Sequence, residues 1–245
     1  MFCIPLFNKK TMPEPVITPP VPIEPPKATW DWSDLKPLSL DDKDLVQVEW
    51  VKYYKEYFTK KQIVIHHTIS GPGISGDLEH WKTFKEHVAT CVIIERNGKI
   101  NQLFSSKYWG YHLGCGNSSL DKGSIAIELD NWGQLTERNG KLYTVYDSVV
   151  DVPTSVYPMG FRGSQIYEAY TYNQLHSLGE IILLWNKTYN IPLNYNEDMW
   201  DISPRALGGT PGVWTHVSYR PYPQKSDCHP DPNLISLLKT LPNLI

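Results

Sequence analysis

Cysteine is scarce in this chain, and its spacing matches no metal-binding or redox motif. The 245 residues include four cysteines and no CxxC pair; the four are Cys3, Cys91, Cys115 and Cys228. Four cysteines are too few for disulfides to cross-link and stabilise a chain of this length. We therefore expect free thiols, as in a reducing compartment.

Long hydrophobic runs are missing as well. No stretch of about 18 consecutive apolar residues occurs, so the sequence predicts no transmembrane helix. The opening residues, MFCIPLF, are apolar but short, and no small-residue cleavage site accompanies them. No signal peptide is evident, so the sequence does not support export by the Sec route.

Neither sign of charge dominates. Lysine and arginine number 23, aspartate and glutamate number 26, and the net charge is −3. This balance gives no electrostatic reason to expect a nucleic-acid partner. The hydrophobic fraction of 41% is that of an ordinary globular protein, and the nine tryptophans and 15 tyrosines suit core packing as well as stacking on sugars.

Proline is abundant in one place only. Eight of the 20 prolines lie within residues 1–30, a composition that favours extended polyproline conformations over helices and sheets. We interpret residues 1–30 as a tether that is available to a tether partner. Residues 31–61 follow as a helical preface, because apolar residues recur at three-residue steps between Ser39 and Lys61.

Beyond residue 61, short apolar strands alternate with amphipathic helices, which predicts an α/β sheet covered on its faces. Asn139-Gly140 indicates a hairpin inside a polar insertion at about residues 135–170. The predicted strands are Gln62–Thr68, a hairpin over Val92–Ile100, Ser124–Leu129 and Val213–Val217. The predicted helices are Asp77–Val88, a long helix with Thr171 and Gln174 as a capping box before Pro192, and Asn233–Leu241.

Two histidines stand in settings that suit metal ligands. His66 ends an apolar strand, and His216 lies in a second apolar segment that precedes the loop Lys225–Pro230. A catalytic zinc takes three nitrogen, oxygen or sulfur ligands and leaves one position open. Two histidines with a carboxylate or thiolate from the loop satisfy this requirement, although a structural role for buried histidines also fits the spacing.

Glu128 is out of place on an otherwise apolar strand. Strand alternation puts it on one face with the small residues Ser124 and Ala126. A carboxylate in such surroundings is costly unless a charge or a hydrogen-bond donor meets it. A buried salt bridge and a role in proton transfer both fit this position.

Taken in order, five segments of the chain resemble the zinc-dependent N-acetylmuramoyl-L-alanine amidases of the second amidase family, which includes phage lysozyme-type amidases and peptidoglycan recognition proteins. The segments are IVIHHT from Ile63, IERNGKI from Ile94, YHLG from Tyr111, SIAIEL from Ser124, and His216 with KSD from Lys225. The resemblance covers about residues 60–241. It implies a mixed central β-sheet flanked by helices, and a single catalytic domain over residues 62–245.

The resemblance implies Zn²⁺ as the cofactor, with His66 and His216 as two of its ligands and with His67 packed on the opposite face. The third ligand is implied to be Asp227, counted from Lys225. The family usually has Lys-x-Asp-Pro-Gly or Lys-x-Cys-Pro-Gly here, whereas this chain continues Cys228-His229-Pro230. Counting back from the proline therefore favours Cys228 or His229.

The same resemblance implies that Glu128 and Lys225 are catalytic. His112 is implied either to bind substrate or the oxyanion, or to support the site through a hydrogen bond. Many relatives carry a Tyr-His pair where this chain has Thr90-Cys91. Glu128 would then act without help from a tyrosine.

The implied activity is hydrolysis of the amide bond between N-acetylmuramic acid and L-alanine, with peptidoglycan as the substrate. The expected setting is a phage lytic enzyme of the endolysin type, held in the host cytoplasm and released to the cell wall. The alternatives are a bacterial cell-wall or recycling amidase, and a non-catalytic peptidoglycan-binding or virion-associated protein.

Overall fold

A central five-stranded sheet organises the protein, whose structure is a computed structural model that describes residues 28–38 and 51–245. The strand order is β10-β1-β4-β2-β3. All neighbours are parallel except β3, which runs antiparallel to β2. The strands are β1 (Gln62–His67), β2 (Val92–Ile94), β3 (Ile100–Gln102), β4 (Ser124–Leu129) and β10 (Gly212–Thr215). The predicted mixed central sheet is confirmed.

The burial of the central strands explains why their sequences read as continuous apolar runs. Every residue of β1 is buried, and Ile63, Val64 and Ile65 are fully inaccessible. Parallel strands covered on both faces need β-branched residues at successive positions rather than in alternation. The predicted hairpin between β2 and β3 is present, with Gly98 at φ 88° in its turn.

Five α-helices accompany the sheet in the described ranges, and the third is the longest. It begins where the Thr171 hydroxyl accepts a hydrogen bond from the Gln174 amide at 3.1 Å, and it ends at Asn190, whose φ is 55°. The Gln174 side chain donates to Ile94 and Asp130 carbonyls instead of completing the predicted capping box, so it ties the helix to the sheet. The helices are α1 (Ser75–Lys82), α2 (Ser118–Gly123), α3 (Tyr172–Tyr189), α4 (Pro204–Leu207) and α5 (Pro232–Thr240).

Helix α1 differs from the prediction of Asp77–Val88 at both ends. It starts two residues earlier, with no side-chain hydrogen bond at its N-cap, and it stops at Lys82. Asp77 therefore lies inside the first turn and does not cap the helix. None of the helices in the part of the chain that the structure describes is long and apolar enough to cross a membrane.

The predicted insertion forms a second five-stranded sheet, which is antiparallel throughout. Its order is β7-β6-β5-β9-β8. Asn139 and Gly140, at φ 51° and 72°, make the predicted tight turn between β5 and β6. The strands are β5 (Gln134–Arg138), β6 (Lys141–Thr144), β7 (Val149–Val150), β8 (Thr154–Phe161) and β9 (Ser164–Glu168).

An arginine joins the two sheets at their shared edge. Arg96, in the turn after β2, donates through Nε and Nη2 to both carboxylate oxygens of Glu168 at 2.7 and 2.9 Å. It also pairs with Asp130, which directly follows β4. The planar guanidinium thereby holds the end of β9 beside the end of β4.

The segment that precedes the central sheet corrects the prediction of a helical preface over residues 31–61. Residues 51–61 contain no helix, because Tyr54 forms a bridge with Trp109 and stacks on its ring at 4.1 Å. The remainder of the predicted helix, residues 39–50, lies outside the described residues, as do residues 1–27 of the predicted tether.

Residues 28–38 pack on helix α3 rather than standing apart from it. The indole of Trp32 is 1% exposed and stacks on Tyr172 of α3 with ring centroids 5.4 Å apart. Leu35 contacts Gly179 on the same helix, and the Leu38 amide donates to the Glu180 carbonyl at 3.1 Å. Packing contacts therefore begin a little before the predicted boundary at residue 30.

Candidate active site

Parallel register brings three of the predicted site residues to one end of the central sheet. His66 of β1 is paired in register with Glu128 of β4, so the two side chains stand next to each other on the same face. Ile65 is paired with Thr215, and His216 follows directly as the chain leaves β10. The carboxyl ends of parallel strands are where α/β sheets usually bind ligands.

The two histidines and Asp227 converge on a single point. His66 Nδ1 lies 2.8 Å from His216 Nδ1 and 3.4 Å from Asp227 Oδ2. His216 Nδ1 lies 2.8 Å from the same carboxylate oxygen. One potential ligand atom from each residue falls within 4.8 Å of the others, and all three residues are buried.

The two other candidates for the third ligand are turned away from this point. The Cys228 thiol is buried beside the Tyr170 hydroxyl, and burial raises its pKa well above the ordinary value. The His229 ring is engaged at both nitrogens, by the Tyr157 hydroxyl at 2.7 Å and the Glu168 carbonyl at 3.0 Å. Of the three loop residues considered, Asp227 is the one beside the histidines.

A chain of hydrogen bonds determines which nitrogen of His66 carries the proton. The Ser124 hydroxyl donates to the Leu120 carbonyl at 2.7 Å, so its oxygen accepts from His112 Nε2 at 2.8 Å. Burial lowers the pKa of His112 well below the ordinary value, so the ring is neutral and its Nδ1 accepts from His66 Nε2 at 3.1 Å. His66, whose pKa burial lowers to about 3, is neutral too and presents a lone pair at Nδ1.

His216 is oriented in the same way by the backbone. Its Nε2 donates to the Leu113 carbonyl at 3.0 Å, so in the neutral ring the Nδ1 lone pair faces Asp227. Burial alone would raise the pKa of Asp227, but the charge that His216 carries when its ring is protonated and the charge of Lys225 outweigh it and hold that pKa well below the usual range. Two nitrogen lone pairs and a carboxylate therefore face one another at close range, an arrangement that fits a cation.

Glu128 and Lys225 lie at the same opening. Glu128 Oε2 is buried and has no hydrogen-bond partner among the described residues. Burial raises the pKa of Glu128 well above its ordinary value, and the carboxylates of Asp227 and Asp77 raise it further. Lys225 Nζ is 3.9 Å from Asp227 Oδ1, and its side chain is 38% exposed.

A cleft of about 180 Å³ opens over these groups, and all six predicted site residues line it. They are His66, His112, Glu128, His216, Lys225 and Asp227. Both ring nitrogens of His112 are engaged within the protein, as its predicted alternative of supporting the site requires. Its substrate-binding role stays a prediction. In that role the carbon edge of the ring would contact the substrate, since both nitrogens are already hydrogen-bonded.

Sequence reasoning missed several residues of the cleft wall. Trp81, near the end of α1, and Phe84, which follows that helix, both line the cleft, although the sequence predicted only that they lie within a helix over Asp77–Val88. Ile69, also in the wall, has φ 59°, a left-handed conformation that β-branched residues rarely adopt. The unusual backbone angle distinguishes Ile69 in the structure. No sequence pattern predicts that it lies in the cleft wall.

Asp77 is a further acidic group, which the sequence analysis noted only as the first residue of a predicted helix. It is 6% exposed, and its Oδ2 lacks a hydrogen-bond partner in the described ranges. Burial raises the pKa of Asp77 to about 7. The negative charge of Asp77, when present, therefore opposes ionisation of Glu128.

Several solved structures resemble this fold at low sequence identity. The N-acetylmuramoyl-L-alanine amidase LysC from Clostridium intestinale URNW is 12% identical, with 78% of this chain and 91% of that chain covered and a TM-score of 0.45. A selenomethionine derivative of AmpD is 15% identical, with coverages of 82% and 99% and a TM-score of 0.46. PGRP-SA from Apis mellifera is 15% identical, with 75% of this chain and 84% of that chain covered and a TM-score of 0.40.

Among curated proteins no sequence matches this chain significantly. A family model described as N-acetylmuramoyl-L-alanine amidase matches residues 57–232. This stretch runs from just before β1 to the start of α5, and so includes the whole central sheet and the cleft. Because the match covers more than two thirds of the chain, the protein belongs to the N-acetylmuramoyl-L-alanine amidase family, whose members are peptidoglycan amidases.

Proposed function

We propose that this protein is a zinc-dependent amidase that hydrolyses the bond between N-acetylmuramic acid and L-alanine in peptidoglycan. One observation carries the metal part of the proposal. His66 Nδ1, His216 Nδ1 and Asp227 Oδ2 converge as lone-pair donors, and hydrogen bonds at the far side of each ring keep protons away from the meeting point. Such a donor set suits zinc, which binds imidazole nitrogens and carboxylate oxygens.

His66, His216 and Asp227 would hold the ion, and the cleft leaves a side open to water and substrate. Zinc in such a site supplies Lewis-acid chemistry, polarising a carbonyl and acidifying a water. His112 and the Leu113 carbonyl would keep the two imidazoles in the ligating tautomer, a support on which metal affinity commonly depends.

Glu128 is proposed as the general base and acid. Its register position beside His66 supports this role, and its Oε2, which has no hydrogen-bond partner among the described residues, can accept the proton of the attacking water. The same carboxyl group would later deliver that proton to the leaving alanine nitrogen. Burial favours its protonated form, which makes it a competent acid in the second half of the reaction.

Lys225 is proposed to stabilise the negative charge that develops on the carbonyl oxygen. Its ammonium group lines the cleft close to Asp227 and is partly exposed, so a substrate oxygen can reach it. Contacts of this kind are worth about 3–4 kcal/mol in the transition state. The cleft wall of Trp81, Phe84 and Ile69 offers apolar surface to the sugar and the stem peptide.

The biological setting is proposed from the resemblance to phage lysozyme-type amidases. In that setting the protein is a lytic enzyme of the endolysin type, held in the host cytoplasm until release to the cell wall. Residues 62–245 would form the catalytic domain, and residues 1–30 a tether with its own partner. A bacterial cell-wall or recycling amidase is the alternative; a virion-associated or non-catalytic binding role is another.

Zinc content and peptidoglycan digestion test the proposal together. Purified protein should hold one zinc per chain after dialysis and should release muropeptides with free L-alanine amino termini from purified sacculi. His66→Ala should abolish both properties, whereas His176→Ala, on the partly exposed side of α3, should change neither. Wild-type protein that carries no zinc and gains no activity on zinc addition would rule the proposal out.

A matched pair of variants tests the third ligand. Asp227→Ala should weaken zinc binding strongly, and Cys228→Ser should change it little, because the thiol faces Tyr170. Cobalt substitution provides an independent check, since thiolate ligation produces an intense near-ultraviolet charge-transfer band. A band that disappears in Cys228→Ser would assign the third ligand to Cys228 instead.

A further inference from the structure

One side chain of the second sheet reaches away from that sheet and into the loop that carries Lys225 and Asp227. Arg162 occupies the turn between β8 and β9, where its φ is 42°. Its side chain is 5% exposed, an unusual degree of burial for an arginine in a turn. The loop it enters, from Tyr219 to Asp231, contains no strand or helix.

The guanidinium of Arg162 binds this loop at several points along its length. Nη1 donates to the carbonyls of Arg220 at 2.9 Å and Lys225 at 3.3 Å. Nη2 donates to the Val217 carbonyl at 3.2 Å and to Asp201 Oδ1 at 2.5 Å. Val217 directly follows His216, so one planar group links the backbone next to His216 with the backbone at Arg220 and Lys225.

The turn that carries Arg162 is itself held in place. The Gln134 side chain donates to the Arg162 carbonyl at 2.6 Å, and the Tyr167 hydroxyl donates to the Phe161 carbonyl at 2.8 Å. Gly163, at φ 83°, lies so close to the Tyr222 ring that a side chain there would collide with it. The guanidinium therefore extends from a fixed base, which an arginine needs in order to position other groups.

The second sheet makes further hydrogen bonds to the loop on the C-terminal side of Asp227. The Tyr157 hydroxyl of β8 lies 2.7 Å from His229 Nδ1. The Ser155 hydroxyl, two residues earlier on the same strand, donates to Asp231 Oδ2 at 2.5 Å. Contacts from this strand and from its turn thus lie on either side of Asp227.

We infer that Arg162 is a positioning residue, through which the second sheet fixes the loop that presents Lys225 and Asp227 to the cleft. A loop with little regular structure has many accessible conformations, and an active site requires one of them. The flat fork of an arginine can satisfy several carbonyls at once, which the single ammonium of a lysine cannot do with the same geometry. The catalytic consequence rests on the proposed function, whereas the ordering of the loop does not.

Three measurements on Arg162→Ala test the inference, with Arg138→Ala as the matched control on the same sheet. Arg138 makes an exposed ion pair with Asp147, and its guanidinium lies over the ring of Tyr143 on the same sheet. For Arg162→Ala at saturating zinc we expect kcat on a soluble muropeptide to fall at least tenfold with KM changed less than threefold. Chelator competition should show zinc affinity reduced at least tenfold. Arg138→Ala should match the wild type.

Hydrogen exchange on the zinc-free protein tests the ordering of the loop without reference to catalysis. In Arg162→Ala the amides of Val217, Tyr219 and Gln224, which make backbone hydrogen bonds within the loop, should exchange faster than in the wild type. Amides of β1 and β4 should be unchanged. Uniformly faster exchange that includes β1 and β4 would indicate general destabilisation and would overturn the inference.

Arg162→Lys and Tyr157→Phe keep the inference testable if Arg162→Ala does not fold. Arg162→Lys should lie between wild type and the alanine variant in loop exchange and in kcat, and Tyr157→Phe should speed exchange around His229 only. Loop exchange and kcat equal to those of Arg138→Ala would overturn the inference. A wild type without zinc or amidase activity would instead defeat the proposed function, with the exchange results still deciding the role of Arg162.

Discussion

The two sheets of this protein differ in burial and in what they contribute to the cleft. In the central sheet, Ile63 and Ile127 are fully buried, and the strand ends carry His66 and Glu128. In the second sheet, Val149 remains 57% exposed, and no strand of that sheet supplies a residue to the cleft among the described residues. The groups proposed for the chemistry thus stand on the better-buried sheet.

The difference shows how a loop can be ordered without a core of its own. The proposed metal ligands on β1 and after β10 are positioned by parallel pairing, whereas Asp227 lies on an irregular loop. That loop receives its contacts from the second sheet, through Arg162 and Tyr157. A lightly packed sheet can serve in this way because hydrogen bonds to a few buried carbonyls require little apolar surface.

The largest effect should come from Glu128, the proposed catalytic carboxylate of the central sheet. Glu128→Gln removes the proton acceptor and preserves the side-chain shape, so kcat should fall by about 10²–10⁴ while zinc content and the unfolding transition are retained. Steady-state assays on muropeptides and metal analysis would measure this. Glu137→Gln, on an exposed strand of the second sheet, is the control and should leave kcat unchanged. Activity of Glu128→Gln within a fewfold of wild type would mean that another group is the base.

Truncating a side chain to alanine should destabilise the protein more in the central sheet than in the second sheet. Ile127→Ala should lower the free energy of unfolding by about 2–5 kcal/mol, because Ile127 is fully buried in β4. Val149→Ala should change it by less than about 0.5 kcal/mol, since its side chain is largely solvated. Urea titrations of both variants in the zinc-free form would provide the values. Equal losses would contradict the view that the second sheet adds little core.

A smaller, pH-dependent effect is expected at Asp77, beside the central sheet. Its pKa is raised to about 7 in the folded protein by burial, against an ordinary value of 3.8. Between these values the folded state binds the extra proton, so wild-type stability should fall as the pH rises from 4 to 7.

Asp77→Asn removes this penalty and should be the more stable protein at pH 8, by at least about 1 kcal/mol. At pH 4 the two proteins should differ little, because the wild-type carboxyl is then protonated in the folded state. Thermal unfolding at several pH values would measure the difference, with the exposed pair partner Asp147→Asn as control. A stability difference that does not grow with pH would contradict the assignment.

The smallest effect should follow removal of residues 1–27, which precede both sheets. Their proline-rich composition cannot supply a packed core, so activity on soluble muropeptides should stay within about twofold of the full chain. Extending the deletion to residue 38 should destabilise the protein, because Trp32 and Leu35 pack against α3. Lost activity on removal of residues 1–27 alone would show that the tether contributes to the catalytic region.

Elements with strong local patterns could be predicted from the sequence, and those defined by distant contacts could not. The apolar runs of β1 and β4, the Asn139-Gly140 turn and the stripe of α3 were all predicted correctly. The helix predicted up to Lys61 is absent at residues 51–61. Tyr54 in this segment instead forms a bridge and stacks with Trp109, more than 50 residues away in the chain. Periodicity carries no information about such a partner.

The same distinction applies to the candidate site: local patterns predicted part of it, and contacts between distant segments define the rest. The sequence alone predicted that His66 ends one buried strand and that Glu128 lies on another, because both strands are apolar runs, whereas the register that pairs the two residues comes from the fold. It also supplied the ligand types and the candidates for the loop position.

Only the tertiary structure decided which loop residue meets the histidines, which ring nitrogens carry protons, and what holds the loop. Asp227 and Cys228 are adjacent in the chain, and the loop conformation turns one toward His216 and the other toward Tyr170. Arg162, more than 60 residues earlier in the chain, donates to the Lys225 carbonyl of that loop, and no sequence pattern links it to the site. Hydrogen bonds between distant segments are set by three-dimensional packing, which a linear pattern does not encode.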